Sequence, residues 1–163
     1  MVKINEPGSG HGNLTSAAGN RYWSYSDAKA LNTVKRALAI LKNNIKGMKP
    51  CNERFKKLPG GKSFDDILAD DTIWINYESR TDRGWYGVTL GVGGKEISIS
   101  QLAIDKGRWW VAGTLVHELA HVNGAPINTV DADDTLLSCG VKNAYEGVIG
   151  INESGTNNEI GIA

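Results

Sequence analysis

The sequence is poor in cysteine, in long apolar runs and in excess charge, and each shortage limits what the chain can be. Its two cysteines are too few for a scaffold held together by disulfides. No apolar run approaches the roughly 20 residues that cross a bilayer, so a membrane partner is not expected. Lys plus Arg and Asp plus Glu both number 18. With no basic cluster, nucleic acid is not an expected partner either.

Cys51 and Cys139 leave two interpretations open. They form one disulfide if the protein matures outside the cytosol, and closing so long a loop would stabilise the fold by about 4–5 kcal/mol. Otherwise they are buried thiols. Residues 1–7 lack the apolar stretch of a secretory signal. This predicts either a cytoplasmic protein or one delivered by a secretion system without its own signal peptide.

The length of 163 residues allows one domain with a sizeable core. Residues 1–20 are rich in Gly, Ser and Asn, which predicts a flexible leader or linker ahead of a single domain at 21–163. His11 falls in this leader, where a solvated loop histidine is expected. The alternative is an inhibitory ligand that folds back onto a metal.

Apolar side chains recur at intervals of three and four over residues 31–45, which predicts a long scaffold helix. Ser24 or Ser26 is expected to cap it, and Gly47 to end it. A loop is expected at residues 50–52. A short helical segment is expected at 64–68.

Three later segments, at residues 72–77, 86–90 and 95–100, are rich in β-branched and aromatic side chains. Such composition favours strands, and the short glycine-rich connection between the last two predicts a hairpin. A long helix with a small mixed or antiparallel sheet makes the expected fold class α+β.

The most informative stretch is residues 114–122, on a helix expected to begin near Arg108. His117 and His121 are four residues apart, so both imidazoles lie on one helix face and can reach the same ion. Glu118 is rotated by about 100° from His117, which brings it to the open side of that ion. Gly and Pro residues shortly after the second histidine end the helix.

These residue types fit a zinc site. Two neutral imidazoles plus one further protein ligand leave the fourth position of a tetrahedral Zn²⁺ for water, whose pKa falls to about 7. His117 and His121 are therefore predicted as metal ligands, and Glu118 as the general base that takes the proton of that water. The competing interpretation is a surface helix whose three polar side chains are merely solvated.

The third ligand is left open by the sequence. No histidine follows His121, so a carboxylate oxygen is expected, and Asp131, Asp133 and Asp134 come next in the chain. Asp131, at or just before the start of a helix, is the first choice, followed by Asp134 one turn later and then by Glu146. Each aspartate is equally compatible with a helix cap or a first-turn charge.

A tetrahedral intermediate also needs a hydrogen-bond donor for its oxyanion. Tyr145 is the candidate for this role, because it follows the acidic helix in the chain. The alternative for Tyr145 is an ordinary packed tyrosine.

With His117-Glu118-Leu119-Ala120-His121, preceded by strands and a long helix, the chain resembles the zincin superfamily of metallopeptidases. The resemblance implies zinc-dependent hydrolysis of peptide bonds in a protein or peptide substrate. It also implies a mixed sheet over a cleft, with the zinc helix at the floor of the cleft. The edge strand of such a sheet runs antiparallel to bound peptide, and residues 95–100 are the candidate strand.

The compact size, the glycine-rich leader, the absent signal peptide and the segment from His121 through Gly140 resemble the toxin or effector peptidases that form C-terminal modules of bacterial secretion-delivered proteins. This resemblance implies delivery out of the producing cell and, for a toxin, a cognate inhibitor or immunity protein. Two other functions remain open. One is a zinc-stabilised or metal-free non-catalytic binding module, and the other is a peptidoglycan amidase.

Overall fold

The computed structural model describes residues 1–142, so the predictions for Tyr145 and Glu146 lie outside the described part of the chain. The described strands are β1 (Lys3–Ile4), β2 (Leu14–Thr15), β3 (Arg21–Tyr22), β4 (Trp74–Glu78), β5 (Gly87–Thr89) and β6 (Glu96–Ser100). The described α-helices are α1 (Ala28–Ile40), α2 (Lys49–Lys56), α3 (Phe64–Ala69), α4 (Gln101–Asp105), α5 (Arg108–Val122) and α6 (Asp131–Ser138). The expected α+β class is confirmed. None of the helices in residues 1–142 is both long and apolar enough to span a bilayer.

The cap of α1 differs from the expectation. Asp27 caps the helix, and its side chain accepts a hydrogen bond from the backbone N–H of Lys29 at 3.0 Å. The prediction of Ser24 or Ser26 is wrong, because the helix begins only at Ala28 and the cap is the residue directly before it.

The main sheet has the strand order β1-β4-β6-β5 and is mixed, as expected. β4 runs parallel to both β1 and β6, whereas β5 and β6 form the predicted antiparallel hairpin with Gly87 opposite Ile99. The prediction that residues 95–100 form the edge strand is wrong. β6 pairs on both sides, and the edge strands of the sheet are β1 and β5, of which β5 is the one next to β6.

The two faces of this sheet differ in chemistry. Ile75, Ile97 and Ile99 are fully buried in the apolar core formed with the helices. The opposite face carries Asn76 and Ser98, which are buried and hydrogen-bonded. Because successive side chains of a strand point to opposite faces, the alternating sequence sets both surfaces.

The N-terminal segment packs against the polar face of the sheet instead of forming a flexible leader. β1 extends the sheet, and Asn5 Nδ2 donates a hydrogen bond to Asn76 Oδ1 at 2.8 Å. The His11 ring stacks on Trp74 with centroids 3.9 Å apart, and its Nε2 lies 2.7 Å from Glu96 Oε1. His11 is therefore bound to the sheet and does not reach the other two histidines.

A disulfide between Cys51 and Cys139 joins α2 to α6, with Cα atoms 4.4 Å apart. It settles the choice between disulfide and thiols that the sequence left open. The prediction of a loop at residues 50–52 is wrong, because these residues belong to α2. Pro50 lies in the first helical turn, where its missing N–H and fixed φ are tolerated, so it does not indicate a loop here.

Candidate metal centre

Two helices carry predicted site residues, α5 and α6, and α5 is the more deeply buried of the two. It begins at Arg108, as expected, after Gly107 at φ 100°, and ends at Val122. Most of its side chains are buried, so packing around most of its circumference fixes its position and rotation. His117 and His121 are only half-buried, and their rings face one cleft.

The two histidines lie side by side. Their Nε2 atoms are 3.1 Å apart, and their ring centroids are 4.8 Å apart. Two imidazole nitrogens bound to the same tetrahedral zinc at about 2.0–2.1 Å would lie roughly 3.3 Å apart. The predicted placement on one helix face is confirmed, and the separation is close to what a shared ion requires.

The second nitrogen of His121 is held by the backbone. Nδ1 lies 2.8 Å from the carbonyl oxygen of Ala125. Since a carbonyl only accepts hydrogen bonds, Nδ1 carries the proton and Nε2 is left with its lone pair directed into the cleft. This is the tautomer that a metal ligand needs.

Asn123 fixes the loop that supplies this carbonyl. Its side-chain N–H groups donate to the carbonyl oxygens of Phe55 at 2.9 Å and Lys62 at 2.8 Å. The backbone carbonyl of Asn123 accepts a hydrogen bond from Gly60 N–H at 2.8 Å. The chain then turns at Gly124, at φ 91°, and Ala125 follows. Sequence reasoning missed Asn123, because its partners are distant in the chain.

His117 has a carboxylate neighbour on α6. Asp133 Oδ1 lies 2.8 Å from His117 Nδ1, although the contact is not aligned as a hydrogen bond. The negative charge favours a proton on Nδ1, because a lone pair there would face the carboxylate. In neutral rings with the proton on Nδ1, the two Nε2 atoms, 3.1 Å apart, are the nitrogens that could bind a cation.

A third metal ligand is not in place among residues 1–142, where no three His, Cys, Asp or Glu side chains are grouped to hold one ion. Asp134 is paired instead with Arg54, with Oδ2 and Nη2 2.8 Å apart. Asp131, half-buried, is the first residue of α6, as the sequence predicts. The ligand roles proposed for Asp131 and Asp134 remain predictions.

The Glu118 carboxylate is buried between α5 and the edge strand, with only 4% of the residue exposed. Thr89 Oγ1 donates a hydrogen bond to Glu118 Oε2 at 2.7 Å. Burial raises the pKa of the Glu118 carboxyl above its ordinary value, and His117, Thr89 and His121 offset only part of that rise. A raised pKa makes the carboxylate a stronger proton acceptor.

Among the described tyrosines, Tyr22 in β3 has a pKa that is raised by burial and in part by the charge of Glu118. Burial, and then the charges of Glu118 and Glu96, raise the pKa of Tyr22 well above its ordinary value. Tyr22 is 1% exposed, so it stays a neutral hydroxyl beside the carboxylates. The sequence offered no signal for Tyr22, because nothing local connects β3 with α5.

A cleft of about 180 Å³ opens beside these groups. It is lined by β5, by the turn after β5, by one face of α5 and by the loop after α5: Gly87, Val88, Thr89, Gly91, Val92, His117, Glu118, His121 and Ile127. Gly93 N–H donates to the His121 carbonyl oxygen at 2.9 Å, so the turn is attached to the end of α5. The three motif residues thus line an open cleft with an edge strand along one side.

Two residues that shape this cleft, Gly87 and Thr89, were not singled out from the sequence. A glycine inside a strand is a known indication of close backbone approach, and that signal was present. A Cβ built at Gly87 would lie 2.6 Å from Thr114 Cγ2 and 3.1 Å from Glu118 Cγ. Thr89 gave no signal, because threonine is an ordinary strand residue.

Comparison with family models, with curated proteins and with solved structures finds no match to this chain. The function therefore has to be inferred from the residues of the site and their geometry.

Proposed function

We propose that this protein is a zinc-dependent peptidase with a zincin-like site. The observation that carries the proposal is the pair of Nε2 atoms, from His117 and His121, 3.1 Å apart in a cleft. Both residues have their Nδ1 atoms next to oxygen atoms, as histidine ligands of metals commonly do. A buried carboxylate, Glu118, lies directly beside the pair.

His117 and His121 would hold the ion, with a carboxylate of α6 as the third protein ligand. Asp131 is the first candidate and Asp134 the second. When bound, zinc supplies Lewis acidity, which lowers the pKa of water and polarises a carbonyl group. The donor set of two imidazoles and a carboxylate suits a divalent ion of this kind.

Glu118 has the position and environment of a general base. Its burial raises its pKa, so its carboxylate accepts the proton of an attacking water more readily than an exposed carboxylate would. The same carboxyl group then returns the proton to the departing amine of the cleaved peptide bond. Burial also keeps bulk water from competing for this proton.

The surroundings of the cleft suit a peptide substrate. Val92 and Ile127 line the cleft and are 49% and 62% exposed, so apolar surface is available beside the site. The Cys51–Cys139 disulfide supports maturation in an oxidising compartment, as a secreted or delivered peptidase requires.

The proposal is tested by combining metal analysis with a peptide-library digest. The purified parent should bind one zinc ion per chain and cleave peptides, and a chelator should abolish cleavage reversibly. Glu118→Gln should keep the zinc but lower kcat by about 10²–10⁴-fold, because it removes the proton acceptor and leaves the ligands. His121→Ala should lose both zinc and activity.

Glu53→Gln is the matched control, because Glu53 is an exposed carboxylate on α2 with only a 3.9 Å contact to Lys49. It should keep parental activity. A Glu118→Gln variant that cleaves as fast as the parent would refute the mechanism. A parent that binds zinc and gains thermal stability, yet cleaves no peptide, would favour a binding module.

A further inference from the structure

The edge strand β5 presents two residues of the same strand face to Glu118. Gly87 and Thr89 are two positions apart, so their side-chain directions coincide. Both lie against α5 at the level of the Glu118 side chain. β5 therefore contributes to the geometry of the carboxylate as well as to the wall of the cleft.

Thr89 holds one oxygen of this carboxylate. Its hydroxyl donates to Glu118 Oε2 at 2.7 Å and lies 3.2 Å from the Glu118 backbone oxygen. Because Glu118 is 4% exposed, its orientation depends on protein partners rather than on bulk water. Threonine is β-branched and stiff at χ1, so the strand fixes the direction of the hydroxyl.

Gly87, on the same strand face, restricts the other oxygen of the carboxylate. A Cβ at this position would lie 3.1 Å from Glu118 Cγ and 3.3 Å from Glu118 Oε1, and 2.6 Å from Thr114 Cγ2. Only a residue without a side chain allows β5 to approach α5 this closely. The strand backbone thus limits where Oε1 can go, while the Thr89 hydroxyl binds Oε2.

We propose that Thr89 is a positioning residue for Glu118: its hydroxyl binds Oε2 while the Gly87 backbone limits Oε1, and together they set the orientation in which the carboxylate meets the attacking water. This inference rests on the proposed peptidase function. It adds a residue outside the helical motif, on an element that reaches the site only through the fold. Thr89 itself need not touch the reacting atoms.

Thr89→Val, which keeps the shape and removes the hydroxyl, tests the proposal. We expect kcat to fall by about 10- to 100-fold, since small misplacements of a catalytic group have effects of this size. KM should stay within about twofold, and the zinc content should match the parent. Thr89→Ser restores the hydroxyl and should return kcat to within about threefold of the parent.

Thr33→Val is the matched control, because the Thr33 hydroxyl donates to the Lys29 carbonyl within α1, 3.2 Å away. It should leave kcat and KM unchanged. A Thr89→Val variant with parental kcat would overturn the inference. So would a Thr89→Ser variant as slow as Thr89→Val, because that result would indicate a packing role.

Gly87→Ala is a second test that leaves the Thr89 hydroxyl in place, and it decides the question if Thr89→Val does not fold. The added methyl group should displace the carboxylate and lower kcat without loss of zinc. Parental kcat in this variant would overturn the inference. If the parent needs Glu118 but neither β5 variant matters, only this inference fails. If Glu118→Gln equals the parent, the proposed function fails as well.

Discussion

Helices α5 and α6 both contribute polar groups to the candidate site, but they are held in place by different means. α5 is packed on every face except the one that lines the cleft, and its position follows from the core. α6 buries only Ala132, Thr135 and Leu136 among its residues. It is attached to α2 through the Cys51–Cys139 disulfide and the Arg54–Asp134 ion pair.

The two halves of the candidate site are therefore held in place by different kinds of interaction. The half on α5 is fixed by apolar packing that every part of the core reinforces. The half on α6 packs against α5 through a few buried side chains and is connected to α2 by the disulfide and the ion pair. Variants that disturb α6 should therefore separate stability, metal affinity and catalysis more clearly than variants in the core.

The largest expected effect comes from removing the covalent connection of α6. Replacing Cys51 and Cys139 by serine together should lower the free energy of unfolding by about 2–5 kcal/mol, because the closed loop no longer restricts the unfolded chain. Urea or guanidinium denaturation measures this change. Hydrogen exchange should rise more in α6 than in α5. Equal rises in both helices would contradict the contrast between them.

A smaller effect is expected from Asp133, whose carboxylate lies beside His117 Nδ1. Asp133→Asn should weaken zinc binding by about 10–100-fold, as loss of an outer carboxylate partner does. Asp131→Asn should weaken it further if Asp131 is the third ligand, and Asp134→Asn should weaken it less. Zinc competition titrations measure all three. Unchanged affinity in every variant would remove α6 from the site.

The smallest effect is expected from the ion pair between α2 and α6. Arg54→Ala should cost at most about 1 kcal/mol of stability, because the pair is partly exposed and screened by salt. Zinc affinity should not change. Lys49→Ala, in the looser 3.9 Å contact with Glu53, is the control for removing a cation from α2. A large loss of zinc affinity in Arg54→Ala, but not in Lys49→Ala, would show that the ion pair with Arg54 positions Asp134 for zinc binding.

The sequence predicted the parts of the fold that local pattern determines. Helical spacing predicted α1 and α5, alternating strand residues predicted the β5–β6 hairpin, and the histidine spacing predicted that both imidazoles lie on one helix face. Each of these depends on residues within a few positions of one another. The structure confirms them for this reason.

The parts that were missed depend on contacts between distant residues. The N-terminal segment has the composition of a linker, yet Asn5 and His11 hold it through Asn76, Trp74 and Glu96. No local pattern predicts such contacts.

The choice among the three aspartates of α6 was also beyond the sequence. Asp131, Asp133 and Asp134 lie within one helical turn, so the rotation of the helix decides which of them faces His117. That rotation depends on the loop after α5 and on a disulfide between residues 88 positions apart.

The position of β5 at the outside of the sheet has one more consequence. A strand that pairs on one side only leaves its remaining backbone donors and acceptors open to an incoming chain. An extended polypeptide aligned with Gly87–Thr89 would enlarge the sheet by one strand. Because Gly87–Thr89 and both imidazoles line the same cleft, its main chain would lie near the imidazole pair whatever its side chains are.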